Sequence, residues 1–230
     1  MTIALFLASA AVGVFASETG RRTWLIVFKP LTTILLLAVV GTPRTPFAWL
    51  VDTGIAFSLA GDVALLSASK KAFLVGLALF LVAHGAYTVA FMRAALAAST
   101  ASSVPVLGAG VVMAVVTALL LRKLWPGAAG LRAPLVAYAV ALAVMVVSSI
   151  AAAGLGVGLA ATGAGAATTV VATHVSPVVA LGAALFYASD ASLAIDRFAR
   201  PIRHAPLFTL GLYWLGQLGI ALAARSAPTG

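Results

Sequence analysis

Long apolar runs separated by short polar segments make up most of the chain. Eight runs are close to the roughly 20 residues that an α-helix needs to cross a bilayer. They cover residues 3–17, 24–41, 47–67, 72–96, 104–121, 133–153, 174–195 and 205–223. The pattern predicts an all-α fold: a polytopic membrane helical bundle of about eight transmembrane helices, forming a single integral membrane domain over residues 1–230.

The first run, residues 3–17, is short, and a cleaved signal peptide ending near Ala16 is the alternative interpretation. No Lys or Arg precedes this run, whereas Arg21 and Arg22 follow it. A signal peptide has the opposite arrangement, with positive charge before its apolar region. We therefore interpret the run as a helix of the bundle.

The composition indicates that lipid is the main solvent of the chain. Of 230 residues, 63% are hydrophobic and 8% are charged, against about 25% charged in a typical soluble domain. The net charge of +9 does not indicate nucleic acid as a partner, because the basic residues are spread over short loops. The chain has no cysteine, which excludes disulfides, thiol catalysis and thiolate metal sites.

The basic residues are distributed unequally between the two sides of the predicted bundle. The loops after the first, third, fifth and seventh runs carry Arg21, Arg22, Lys70, Lys71, Arg122, Lys123, Arg132, Arg197, Arg200 and Arg203. The opposite side carries Arg44, Arg93 and Arg225. The positive-inside rule therefore predicts that both termini lie outside the cytoplasm, and we expect the chain in a bacterial inner membrane.

Residues 154–173 are rich in Gly, Ala and Thr. Gly-rich sequence forms helices weakly, so we interpret this segment as a flexible external loop. An extension of the sixth helix is the alternative.

Two parts of the sequence, four runs apart, resemble each other. The Pro-Leu pair at 30–31 matches the pair at 134–135, and residues 57–65 (FSLAGDVAL) match residues 186–193 (FYASDASL). An offset of four spans preserves orientation, so the similarity favours a parallel duplication, which membrane proteins use. Chance similarity between apolar helices is the alternative.

Three ionisable side chains lie inside apolar runs: Lys29, Asp62 and Asp190. A charge at mid-membrane costs at least about 2.5–3.5 kcal/mol on insertion scales, and such residues usually face a cavity or a partner. At 1.5 Å per residue, all three lie roughly 7–12 Å from the basic ends of their helices. Their common depth predicts one cavity that opens toward the cytoplasm. Alternatively, Lys29 snorkels to the interface or pairs with one Asp as a purely structural contact.

Further polar side chains in the runs are candidates for binding or supporting a substrate. They are Ser58, His84, Tyr87, Ser189, Tyr213 and Gln217. Each also has a structural interpretation, as a packed histidine, an interhelical hydrogen bond or a hydroxyl bonded to its own backbone. Asp52 is expected to be solvated, and Asp196 to form a surface ion pair with Arg197.

Several site types are missing from the sequence. It contains no Gly-x-Ser-x-Gly elbow and no His-Glu-x-x-His motif, and its three His lack ligand spacing. We therefore expect neither a metal nor another cofactor. The remaining chemistry is a carboxylate pair with a cation nearby, and two carboxylates in different environments can divide into acid and base. Sequence does not decide which Asp lies nearer Lys29.

The motifs around these residues resemble the YhhN family of lysoplasmalogenase-like membrane proteins. The matching segments are residues 28–33 (FKPLTT), 57–62 (FSLAGD), 80–84 (FLVAH) with Tyr87, Ser189-Asp190 with Leu193-Ala194 and Arg197-Phe198, and 213–217 (YWLGQ). They run from the second to the eighth span in order. The segment 154–173 is not a feature that we can match.

The resemblance implies an eight-span enzyme that hydrolyses the vinyl ether bond of lysoplasmalogens to a fatty aldehyde and a glycerophospho-base. It implies that Asp62 and Asp190 are the catalytic intramembrane aspartates, and that Lys29-Pro30 matches the family's Lys-Pro. The implied partners are a lysolipid substrate and membrane lipid, with no obligate protein partner. A proton-coupled transporter or exporter is the alternative, since intramembrane Asp and Lys also serve proton relays. A lipid-binding or structural protein is a third.

Overall fold

The computed structural model describes residues 1–98, 103–154 and 175–227. Within these ranges the chain forms eight helices and no strand. They are α1 (Thr2–Glu18), α2 (Arg22–Val40), α3 (Pro46–Ala64), α4 (Lys70–Ala97), α5 (Ser103–Leu124), α6 (Arg132–Ala152), α7 (Val178–Phe198) and α8 (Ala205–Arg225). The all-α prediction is therefore confirmed. The interpretation of residues 154–173 as a loop falls outside the described residues, apart from Gly154.

Helices α2 to α8 are each long and apolar enough to cross a membrane. Helix α1 has 17 residues and is the shortest of the eight described helices. It still belongs to the bundle, because it packs against α2 and α8 and Phe6 is fully buried. The chain is thus an integral membrane protein with a helical bundle as its membrane domain.

The packing order repeats between the two halves of the bundle. Within α1–α4 and within α5–α8, each helix packs against the next one. The halves meet through α8 against α2 and through α4 against α6. An offset of four helices maps α2 onto α6 and α8 onto α4, so it turns the first of these contacts into the second. The parallel-duplication hypothesis requires this relation. The contacts of α8 with α1 and with α3, and the contact of α5 with α7, have no such counterpart in the part of the chain that the structure describes.

An aromatic cluster fills the centre of the bundle around Phe186 of α7, which is fully buried. The ring centroid of Phe186 lies 4.8 Å from that of His84, 5.2 Å from Tyr213 and 6.4 Å from Phe80. These pairs meet at steep, edge-to-face angles, the arrangement that aromatic quadrupoles favour. The cluster joins α4, α7 and α8 beside the polar side chains described below.

Helices α7 and α8 approach each other closely at two glycines. A Cβ atom added to Gly216 would lie 2.7 Å from the carbonyl oxygen of Gly182, and one added to Gly182 would lie 2.7 Å from that of Gly216. Backbone atoms cannot rotate away, so any side chain here would force the helices apart. Small residues allow such close approach between membrane helices.

We expect Gly216→Ala to destabilise the protein by about 1–3 kcal/mol, the usual cost of overpacking. Gly211→Ala is the matched control on the same helix, because a Cβ there meets no atom of the described residues within 4 Å and alanine favours helix. Thermal unfolding in detergent measures both variants. Equal midpoints for the two would show that the α7–α8 contact is looser than described.

Candidate active site

A buried ion pair joins α2 to α3. The Nζ atom of Lys29 lies 3.3 Å from Oδ1 of Asp62. Lys29 is 7% exposed and Asp62 is 1% exposed. Lys29 therefore points into the bundle and does not snorkel to the membrane surface.

The second oxygen of Asp62 accepts two hydrogen bonds from hydroxyl groups. Thr33 Oγ1 donates to Oδ2 at 2.7 Å, and the Tyr213 hydroxyl donates to the same atom at 2.8 Å. With Lys29 on Oδ1, helices α2 and α8 surround the carboxyl group with donors. An ionised carboxylate has only acceptors, so this environment matches the ionised form of Asp62.

A hydrogen-bonded chain extends from Tyr213 deeper into the bundle. Gln217 Nε2 donates to the Tyr213 hydroxyl at 3.4 Å, and the Tyr87 hydroxyl donates to Gln217 Oε1 at 2.6 Å. Gln217 and Tyr87 thus hold the Tyr213 hydroxyl in place beside Asp62. Ser58 is fully buried on α3.

Asp190 has different surroundings from Asp62. The Tyr138 hydroxyl of α6 donates to Asp190 Oδ2 at 2.5 Å, and Nε2 of the fully buried His84 lies 3.7 Å from the same oxygen. In the described ranges no Lys or Arg pairs with Asp190. Its side chain is 11% exposed against 2% for Asp62, so it is the more accessible of the two carboxyl groups.

Both aspartates line one cavity, which we call the inner chamber. The structure thus brings together the two residues whose common depth predicted a shared site. The other residues lining the inner chamber are Lys29, Leu65, Phe73, Leu77, Phe80, Leu131, Leu135, Tyr138, Ser189, Leu193, Ala194, Arg197, Phe198, Thr209, Leu210 and Tyr213. Apart from Arg197, Thr209 and the polar groups around the aspartates, the walls are apolar.

The inner chamber adjoins a second, more polar cavity at the basic end of the bundle, which we call the vestibule. The vestibule lies among the α1–α2, α3–α4 and α7–α8 connections and includes Ser67, Ser69 and Asp196. Lys29 and Arg197 line both cavities. The chamber holds about 80 Å³ and the vestibule about 380 Å³. Since one water needs about 10–15 Å³, the chamber has room for several waters or a short piece of alkyl chain.

The surroundings of three polar residues differ from, or add to, those expected from the sequence. Ser189 lines the chamber, but its hydroxyl donates to the Thr209 carbonyl at 2.7 Å and so ties α7 to α8. The predicted ion pair of Asp196 with Arg197 is wrong, because the ion pairs among the described residues do not include it; Asp196 Oδ1 instead accepts from the Ile202 backbone N–H at 2.8 Å. Asp52 is half-buried on α3 and not fully solvated.

The sequence interpretation assigned no role to two residues of this site, Thr33 and Tyr138. Thr33 follows Lys29 by four residues, which places both on one face of α2, and that spacing was a usable signal. Tyr138 carries a hydroxyl in the middle of an apolar run, but no spacing linked it to Asp190. Among the described residues, no group of three or more His, Asp or Glu is arranged to hold a metal ion.

The sequence model of the YhhN family matches residues 24–224. The chain belongs to the YhhN family. No solved structure matches the chain. The YhhN match spans α2 to nearly the end of α8 and contains every residue of the chamber, whereas α1 precedes it. The resemblance proposed from the motifs is therefore confirmed at the level of the family.

In this YhhN protein we expect Lys29→Met to lower the free energy of unfolding by about 3–5 kcal/mol, because it leaves the buried Asp62 carboxylate without its cation. The double variant Lys29→Met/Asp62→Asn should recover much of that loss, because it removes both charges. Unfolding in detergent measures the four members of this cycle, with exposed Lys71→Met as control. Strictly additive losses would contradict a coupled pair.

Proposed function

We propose that this YhhN protein is a membrane hydrolase that cleaves the vinyl ether bond of lysoplasmalogen-type lysolipids. The products are a fatty aldehyde and a glycerophospho-base. The observation that carries the proposal is the pair of aspartates in one buried chamber. Asp62 is paired with Lys29, and within the described ranges Asp190 has no Lys or Arg partner.

Vinyl ether hydrolysis requires two groups with different roles. A general acid first transfers a proton to the β-carbon of the double bond, which is the slow step and leaves an oxocarbenium ion. Water then adds to the α-carbon and loses a proton, and the resulting hemiacetal separates into aldehyde and alcohol. A positioned acid and a nearby anion lower both barriers, as two carboxyl groups do in glycoside hydrolysis.

The contacts favour Asp190 as the acid and Asp62 as the anion. Lys29, Thr33 and Tyr213 all donate to Asp62 and favour its ionised form. A proton on Asp190 then leaves Asp62 and Lys29 as a neutralised pair and avoids a second carboxylate that lacks a cation of its own. Asp190 is also the more accessible carboxyl group, as an acid that must reach a substrate carbon should be.

The walls of the chamber suit an amphiphile with one chain. Leu77, Leu131, Leu135 and Leu193 offer an apolar surface for the alkenyl chain, and the polar vestibule leads toward the basic end. Water sufficient for the second step fits in the chamber volume. Ligand sites typically combine apolar walls with a few convergent polar groups in this way.

A proton-coupled transporter is the second candidate, and the repeated packing order of α1–α4 and α5–α8 is the observation in its favour. Aldehyde release from a lysoplasmalogen by purified protein in detergent supports the hydrolase. Substrate accumulation in sealed vesicles that depends on a pH gradient, without aldehyde release, supports the transporter.

We expect Asp190→Asn and Asp62→Asn each to lower turnover by about 10²–10⁴-fold, the usual contribution of general acid–base groups. Asp52→Asn is the matched control, since it makes the same change on α3 outside the chamber and should keep turnover near normal. The test measures aldehyde formation by each variant as folded, monodisperse protein. Near-normal turnover in either chamber variant would contradict the two-carboxylate mechanism.

Hydrolysis should also slow in D₂O, because the proton moves to carbon in the rate-limiting step. The comparison is made on the plateau of the pH–rate profile in both solvents. An equal rate in H₂O and D₂O would mean that another step, such as product release, limits turnover.

We also propose that the vestibule faces the cytoplasm, because the basic residues are concentrated at its end. The chain has no cysteine, so single Ser69→Cys and Thr42→Cys variants report on opposite ends. In intact cells a membrane-impermeant thiol reagent should label the cysteine at 42 and spare the one at 69. The reverse result would invert the orientation.

A further inference from the structure

One face of α7 connects the aspartates to the basic end of the bundle. Asp190, Leu193, Ala194 and Arg197 all line the inner chamber, which is the spacing of one helical face. Arg197 follows Asp190 by two turns, or about 10 Å along the helix at 1.5 Å per residue. Its flexible side chain therefore lies between the site of chemistry and the vestibule, and it lines both cavities.

The guanidinium of Arg197 is held by stacking and keeps its hydrogen-bond donors available. Its central carbon lies 3.8 Å from the ring centroid of Phe73, and Phe73 itself is buried. Stacking on a ring face leaves the N–H groups at the edge of the guanidinium free to bind an acceptor. Across the described part of the chain no carboxylate pairs with Arg197, and Asp196 is engaged by the Ile202 backbone N–H.

The other cation that lines both cavities is committed to a different partner. Lys29 is paired with Asp62 at 3.3 Å and is buried. Arg22 holds the α3–α4 turn through a hydrogen bond from Nη2 to the Leu66 carbonyl at 3.3 Å. Among the described residues that line the vestibule, Arg197 is thus the cation with free donors, directed at a space that an anion can reach.

We propose that Arg197 binds the phosphate of a single-chain glycerophospholipid at the junction of vestibule and chamber, and thereby positions the ether bond against Asp190. The assignment of an ether bond rests on the proposed function, whereas the phosphate contact does not. A planar guanidinium matches the paired oxygens of a phosphate diester. The glycerol backbone joins phosphate and ether oxygen, so an anchor on α7 near the membrane surface leaves the ether within the chamber.

The first experiment measures binding without catalysis. The probe is a radiolabelled 1-O-alkyl lysophospholipid, whose saturated ether cannot be hydrolysed by this route, binding to purified full-length protein in detergent. Arg197→Met should weaken binding about tenfold to a hundredfold, the value of a charged hydrogen bond, and Arg197→Lys should be intermediate. Arg200→Met, at an exposed position just after the end of α7 that lines neither cavity, should bind like the unmodified protein.

Three results of this binding experiment would overturn the proposal. The first is unchanged affinity in Arg197→Met. The second is an equal loss in Arg200→Met, which would indicate attraction to the basic end as a whole. The third is displacement of the lipid by glycerophosphate at equal concentration, which would assign the site to free phosphate esters and not to a lipid.

The second experiment separates this proposal from the hydrolase proposal. Hydrolysis is compared for an alkenyl lysophospholipid and for a phosphate-free 1-O-alkenylglycerol. Arg197→Met should raise KM for the first about tenfold or more and leave kcat/KM for the second unchanged. Equal losses on both substrates would contradict the phosphate role. If the unmodified protein hydrolyses neither substrate but binding still depends on Arg197, the hydrolase proposal fails and the phosphate site stands.

Discussion

The ion pair of Lys29 with Asp62 imposes the main physical constraint on this bundle. A charge removed from water inside a membrane protein is tolerated only when polar partners surround it. Thr33 and Tyr213 complete that set around Asp62, and Gln217 and Tyr87 in turn fix the orientation of Tyr213. Helices α2, α3, α4 and α8 are therefore held in register by one polar network as well as by apolar packing, and the position of the chamber follows from that register.

The two halves of the bundle are similar in packing and different in charge. Asp62 on α3 and Asp190 on α7 occupy related positions, and each accepts a hydroxyl from the helix before its own, Thr33 on α2 or Tyr138 on α6. Asp62 also pairs with Lys29 of its own half, whereas Asp190 has His84 of the other half at 3.7 Å. Two halves with the same packing order and different polar partners can give two identical carboxyl groups separate roles.

Sequence predicted the helices and the meeting of the three buried charges, because both depend on rules that act along one helix. Apolar length determines a span, and depth along the axis determined that Lys29, Asp62 and Asp190 share a level. Which side chains become partners depends on the orientation of each helix about its own axis, and hydropathy does not encode that orientation. Tyr138 was missed for that reason, and which Asp receives Lys29 stayed open. The pairing of Asp196 with Arg197 was wrongly inferred from adjacency, although neighbours in a helix do not face each other.

The position of the chamber between an apolar wall and a polar vestibule has a consequence for the release of products. Cleavage of an ether between chain and head group converts one amphiphile into a molecule that prefers oil and a molecule that prefers water. Leu131 and Leu135 border the chamber on one side, and Ser67 and Ser69 border the vestibule on the other. For the proposed reaction, each fragment would leave into its own medium, one sideways into the bilayer and one into the aqueous phase. Their separation would make the reverse condensation rare, so that partitioning between two solvents drives the reaction forward.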